Sequence, residues 1–178
     1  MENYIKLIKE YSQNTYEKML RNPCGSIKHP FIVPGSQSYN NCLWDWDSWL
    51  TDIAVSQIML DNQIDNDFFI EYEKGSILNF LEHEFSNGAI PIVITSDFAR
   101  DKFNTEGNIH KPCLAQHIAF IIKKTGESEW IRPYICGLEK FISYYREHCM
   151  HKETGLYYWI TDEMIGVDND PCTFYRPD

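Results

Sequence analysis

Apolar residues recur three and four positions apart over several stretches of the chain, the spacing that lines one face of an α-helix. The longest stripe comprises Ile131, Tyr134, Ile135, Leu138, Phe141, Ile142 and Tyr145, with Glu139, Lys140 and Arg146 left for solvent. It predicts an amphipathic helix buried along that stripe. A second helix is predicted from Trp46 through Leu50, Ile53, Ala54 and Ile58. A third runs from Phe69 through Tyr72, Phe80 and Leu81, with Gly75 in its middle at a cost of about 1 kcal/mol in helix propensity. Residues 4–20 and 114–122 carry the same period. One run, 155–160 (GLYYWI), has the composition of a strand and follows a turn-forming stretch at 151–154, so a short hairpin or extended segment is expected there.

Between these segments lie connections rich in Pro, Gly, Asn and Ser at 21–42, 86–112 and 151–178. Loops of such length are uncommon inside a compact domain, and where they occur they often line a site. No repeat is visible by residue identity. The rhythm of helix and long loop is that of paired helices, so the expected class is mainly α, with residues 1–178 forming a single domain.

Composition narrows the function. Of 178 residues, 43% are hydrophobic and 15% aromatic, enough for a real core, which makes a disordered chain or a disulfide-stapled scaffold a poor reading. A net charge of −10 argues against nucleic acid or an anionic membrane surface as the main partner, and favours a neutral or cationic ligand. The first twenty residues lack the apolar run of a secretory signal, and no stretch of about 18 apolar residues occurs, so a cytoplasmic protein is expected. The six cysteines, Cys24, Cys42, Cys113, Cys136, Cys149 and Cys172, form no C-x-x-C pair. They read as reduced and structural.

Three clusters carry candidate chemistry. In the first, 40–49 (NNCLWDWDSW), Trp44, Trp46 and Trp49 crowd against Asp45 and Asp47. Indole faces stack on sugar rings and cations, and carboxylates accept hydroxyl hydrogen bonds, a pairing suited to carbohydrate. The competing reading makes one aspartate a helix cap and the tryptophans core. If the segment is helical, Asp45 and Asp47 lie about 200° apart and cannot face one ligand together, so one of them serves as a cap or a supporting residue.

The second cluster joins 87–91 (NGAIP) to 108–112 (NIHKP), which taken alone is turn chemistry. His110 is an acid or base only if it is not simply a hydrogen-bonded loop residue, and Lys111 is placed to reach a ligand hydroxyl. The third is 165–171 (IGVDNDP), where Asp168 and Asp170 share a face if extended. Two neighbouring carboxylates raise one pKa and so provide a general acid near neutral pH; the alternative is a surface turn. The run Asp61, Asp65, Asp67 is the one feature suggesting calcium. It lacks the glycine and terminal glutamate of an EF-hand loop, and a solvated helix start fits better, so no cofactor is expected.

Taken in order, these segments resemble the catalytic barrel of trehalase-like and mannosyl-oligosaccharide glucosidase-like enzymes, especially glycoside hydrolase family 63. LWDWDSW resembles the W-D-S motif opening an inner helix, NGAIP the N/D-G-x-x-P loop, HKPCLA the Q/K-P-P-x-x-A motif, and GVDND the acid-bearing G-x-D-N/F motif. The four occur in the family's order between residues 39 and 171. Cys113 stands where many relatives have a second proline, and Asp170 where a small polar residue is common.

The resemblance implies part of an (α/α)6 toroid and an inverting α-glycosidase acting on an α-linked oligosaccharide or small glycoside. In such enzymes an acid protonates the leaving oxygen while a base about 6.5 to 9.5 Å away activates water from the opposite face. By position, Asp168 is the general acid. Trp44, Trp46, Asp47, Lys111 and Asn169 bind the sugar. The family's base is a glutamate from the C-terminal part of the barrel, which residues 1–178 do not supply. A full toroid has more than twice the helices predicted here, so the chain is expected to be the N-terminal portion of the barrel, its exposed faces covered by the remaining half, a partner chain or self-association. The alternative is a non-catalytic carbohydrate-binding or assembly module that keeps the aromatic pocket.

Overall fold

The computed structural model describes residues 2–35, 39, 41–64, 67–100 and 108–165. These are mainly helical: α1 (Glu2–Thr15), α2 (Asp45–Asp61), α3 (Asp67–Glu82), α4 (Leu114–Thr125), α5 (Ile135–His148) and the single turn α6 (Asp162–Ile165). Four short strands, β1 (Leu20–Arg21), β2 (Phe31–Ile32), β3 (Cys42–Trp44) and β4 (Val93–Thr95), pair antiparallel as β1 with β2 and β3 with β4. Each of the five predicted helices is present. The ribbons were not expected, since strands of two or three residues are too short to show an alternating pattern.

Local chemistry sets the helix boundaries. α3 passes unbroken through Gly75 because the glycine is needed for a close approach: a Cβ there would overlap the carbonyl oxygen of Pro30. The 28–32 segment lies directly on that face. Asn79 Oδ1 accepts the N–H groups of Lys28 and His29 at 2.8 and 3.0 Å, and the hydroxyl of Ser76 accepts that of Ile32 at 3.1 Å. α4 ends at Gly126, whose φ of +75° suits glycine and whose N–H returns to the carbonyl of Ile122. The stripe beginning at Ile131 is not one helix. Pro133 sits in a 3-10 segment, Glu129–Tyr134, that leads into α5.

The main core joins α3, α4 and α5 to the loops, through fully buried Phe31, Leu43, Phe80, Ile90, Ile109 and Phe141 among others. A smaller one packs Tyr16, Ile32, Val55, Met59 and Phe69 between α2, α3 and β2. The 155–160 run forms the expected short hairpin: Met150 bridges Tyr157, Gly155 turns with φ +69°, and His151 N–H donates to Leu156 O at 2.8 Å. Cys24, Cys42, Cys113, Cys136 and Cys149 are free thiols, while Cys172 lies outside the described residues. No described helix is long and apolar enough to cross a membrane.

α2 departs from the pattern. Its apolar stripe faces outward, with Leu50 54% and Ile53 38% exposed, while Asp45, Ser48, Asp52 and Ser56 are buried with Val55 and Met59. Burying a polar face costs several kcal/mol unless each group finds a partner. The partners come from α3, α4 and the loop before α4.

Candidate functional site

Three of the four motif segments meet at the N-terminal end of α2. β3 runs straight into the helix: Trp44 is extended (φ −91°, ψ 148°), and Asp45 is the first helical residue. Backbone bonds tie this corner to the other loops. Asp45 N–H donates to Ile92 O at 3.1 Å, Ile92 N–H to Asn108 O at 3.1 Å, and His110 N–H to Ile90 O at 2.7 Å, while Pro91 bridges Ile109. In the NGAIP loop, Asn87 Oδ1 accepts the N–H of Ala89 at 3.1 Å. Gly88 has φ +88°, and a Cβ there would come 2.8 Å from Lys140 O on α5. Glycine therefore allows the loop to reach α5.

At the centre sits an ion pair. The Asp45 carboxylate accepts the Lys111 backbone N–H at 2.9 Å, and Lys111 Nζ lies 3.2 and 3.4 Å from its two oxygens. Both side chains are almost wholly out of solvent. Lys111 Nζ also lies 4.5 Å from the centre of the Trp46 ring, within cation–π range. Lys111, expected to reach a ligand hydroxyl, is thus held between Asp45 and Trp46. Asp45 is the supporting aspartate of the pair and Asp47 lies half-buried in the first turn of α2. Trp46 and Trp44 are half-buried, and Trp44 meets the edge of Tyr39 at 5.8 Å.

His110 is a core residue. Its ring packs edge-on against Phe80 and Phe141, with Nδ1 2.7 Å from Lys111 O. Burial pushes its pKa down to about 4, Asp45 opposing, so it is neutral at ordinary pH and suited to packing more than to proton transfer. Tyr145 donates its hydroxyl to His110 O at 2.7 Å, and burial raises that hydroxyl above the usual tyrosine range. The Cys113 thiol, where the motif often has proline, is pushed up to about 12 by burial, which makes it a poor nucleophile.

The fourth motif is approached but not reached. Thr161 donates its hydroxyl to Asn108 Oδ1 at 3.1 Å, and Met164 is fully buried in the main core. Asp168 and Asn169 lie outside the described residues.

Sequence reasoning missed a second polar cluster farther along α2. Asp52 Oδ2 is 2.8 Å from His117 Nε2, and Ser56 Oγ lies 3.3 Å from Asp52 and 2.9 Å from Glu73. Lys124 Nζ donates to Glu73 at 2.6 Å and to Ser56 at 3.0 Å. Burial, foremost, pushes Asp52 up to about 6 and Glu73 up to about 7, and drives His117 down to about 3. The cluster ties α2 to α3 and α4. Its signal was the polar spacing 45, 48, 52, 56, which reads equally well as a solvent face.

Among the described residues no group of three or more His, Cys, Asp or Glu is arranged to hold a metal. Of the acidic run considered for calcium, Asp61 instead meets Lys9 at 3.4 Å and the amide of Gln57 at 2.8 Å, and Asp65 lies outside the described residues. No family model, curated protein or solved structure matches the chain.

Proposed function

We propose that this chain builds the sugar-facing part of an inverting α-glycosidase of the family 63 type, with Asp168 as general acid and the water-activating base supplied from outside residues 1–178. One observation carries the reading. Segments 42–46, 87–92 and 108–112, remote in sequence and carrying three of the four ordered motifs, converge on one layer around the Asp45–Lys111 pair. Their polar groups meet around that pair while Leu43, Ile90 and Ile109 carry the same loops into the core.

The chemistry follows from that placement. Trp46, backed by the Lys111 ammonium, is the plate on which the C–H face of a pyranose stacks, and Asp47 in the same helical turn accepts its hydroxyls. Trp44 borders the same corner. Asp45 holds Lys111 in place, so the pocket pays little ordering entropy when sugar binds. In this reading the Asp168 carboxyl gives its proton to the glycosidic oxygen as the bond to the anomeric carbon breaks. Water, deprotonated by the base from outside the chain, attacks the opposite face and yields the β-anomer. The outward apolar stripe of α2 supports the (α/α)6 toroid, in which further helices cover it.

The test combines calorimetric titration of α-glucosides and α-mannosides with hydrolysis followed by NMR. Residues 1–178 are expected to bind one of these sugars and to hydrolyse it only very slowly. Asp168→Asn should leave binding intact and remove the residual hydrolysis. Binding with no hydrolysis in either protein favours the carbohydrate-binding module instead. Robust turnover by 1–178 alone, or residual hydrolysis untouched by Asp168→Asn, refutes the proposed division of labour.

A further inference from the structure

We propose that α1 of one copy of this chain docks in the groove between α4 and α5 of a second copy, and that the exchange is reciprocal, closing a two-fold dimer. This inference does not depend on the glycosidase reading. The groove encloses about 590 Å³ and is lined by Ala115 and Ala119 of α4, Leu138, Phe141 and Ile142 of α5, and Trp159 of the hairpin, among others. None of its lining residues is charged. A cleft of that kind, with two small residues one turn apart along its floor, is shaped to receive an amphipathic helix through its large side chains.

The chain carries such a helix. Tyr4, Ile5, Leu7, Ile8 and Tyr11 form one apolar stripe along α1, and each is 51 to 73% exposed. A stripe so regular and so uncovered is unusual on a folded domain. At 14 residues α1 is about 21 Å long, against about 18 Å for α4 and about 21 Å for α5. Knob and groove match in length.

A second copy is the occupant because the helix that matches the groove belongs to this same chain and lies uncovered on it. The protein carries a net −10, so most of its surface repels a copy of itself. In α1, Lys6 and Lys9 cancel Glu2 and Glu10, and the groove is neutral. Pairing these two surfaces lets two copies meet without facing like charges. The area suffices: five large side chains at that exposure present roughly 600 Å² of mostly apolar surface. The two helices alone bury roughly 1,200 Å² against the two grooves, at the threshold of the roughly 1,200 to 2,000 Å² of a standard stable interface. Each copy has both halves, and in the proposed two-fold arrangement both contacts are satisfied and neither is left free to propagate.

Light scattering of purified 1–178 over the micromolar range tests this, with far-UV circular dichroism to show that each variant is folded. The parent is expected to be a dimer. Ile8→Glu and Ala119→Glu, both at exposed positions, should each weaken it by roughly a hundredfold. Mixing the two variants should give a heterodimer tighter than either variant alone but weaker than the parent, since the intact groove of the first receives the intact helix of the second while the reciprocal contact carries both substitutions. If Ile8→Glu fails to fold, Tyr11→Glu replaces it. A parent that stays monomeric, a dimer indifferent to both substitutions, or a mixture no more associated than either variant alone overturns the proposal, and so does growth into open chains.

Discussion

Removing the cation from the Asp45–Lys111 pair is the most direct perturbation of the candidate site. Lys111→Met leaves the Asp45 carboxylate, whose side chain is 0% exposed, with the backbone N–H of residue 111 and no counter-charge. Breaking one side of a buried ion pair costs about 3 to 5 kcal/mol, because the remaining charge has no water to fall back on. For a domain of this size each kcal/mol moves Tm by about 2 to 4 °C, so a drop of about 6 to 20 °C is expected. Asp45→Asn strands the ammonium above Trp46 but keeps an acceptor for the backbone N–H. It should cost somewhat less. The double variant carries neither charge and still keeps that acceptor, so it should be more stable than Lys111→Met alone, with a coupling of at least about 2 kcal/mol. Urea unfolding of the four proteins supplies the cycle. A single-variant cost below about 1 kcal/mol, or strictly additive costs, would refute the assignment of Asp45 and Lys111 as one buried unit.

Other consequences follow from the same structure. Burial raises Asp52 to about 6 and Glu73 to about 7, so the folded protein keeps protons that the unfolded chain releases above about 4, and each group destabilises the fold as pH rises through that interval. Buried His110 and His117 act in the opposite sense, destabilising as pH falls below about 6.5. Glu73→Gln removes one of the first pair only, so relative to the parent it should gain on the order of 2 kcal/mol between about pH 5 and about pH 8. A pH-independent difference in urea unfolding contradicts this. Gly75→Ala should cost about 1 to 3 kcal/mol despite better helix propensity, because its Cβ meets Pro30 O. Gly126→Ala should cost about 1 kcal/mol, through its positive φ alone, since nothing lies within 4 Å of the added carbon. Equal thermal shifts for the two would separate neither cause. Tyr145→Phe should lose about 1 kcal/mol by leaving His110 O without its hydroxyl donor, read from the same unfolding curves.

The helices were legible because each carries the 3.6-residue period, but the stripe from Ile131 runs through Pro133, where the backbone is 3-10 and the α-helix begins only at Ile135. The burial of α2 was not legible. Leu50 and Ile53 look like the inward face, and Asp45, Ser48, Asp52 and Ser56 like the outward one, until Lys111, His117 and Lys124 are known to arrive from the other side. Those partners are supplied by a chain segment more than fifty residues away, and periodicity within one helix carries no information about them. The convergence of the tryptophan cluster with the HKP loop was anticipated through the order of the motifs alone. That Asp45, and not Asp47, grips Lys111 is set by where the loop before α4 packs, although the half-turn geometry already requires the two aspartates to part company. His110 was weighed between catalyst and loop residue. Packing against Phe80 and Phe141 decides for the core.

The central claim is that Trp46 and Asp47 face a sugar, with Lys111 held behind Trp46 by Asp45. It is tested most directly by calorimetric titration of α-linked glucose and mannose oligosaccharides into the parent and Trp46→Ala, with unfolding curves run on the same samples. The account predicts saturable binding by the parent and an affinity at least about tenfold lower in Trp46→Ala, with a Tm loss well short of that for a fully buried tryptophan, which costs about 3 to 5 kcal/mol. No binding to the parent, or a full core-type stability loss with unchanged affinity, would contradict it.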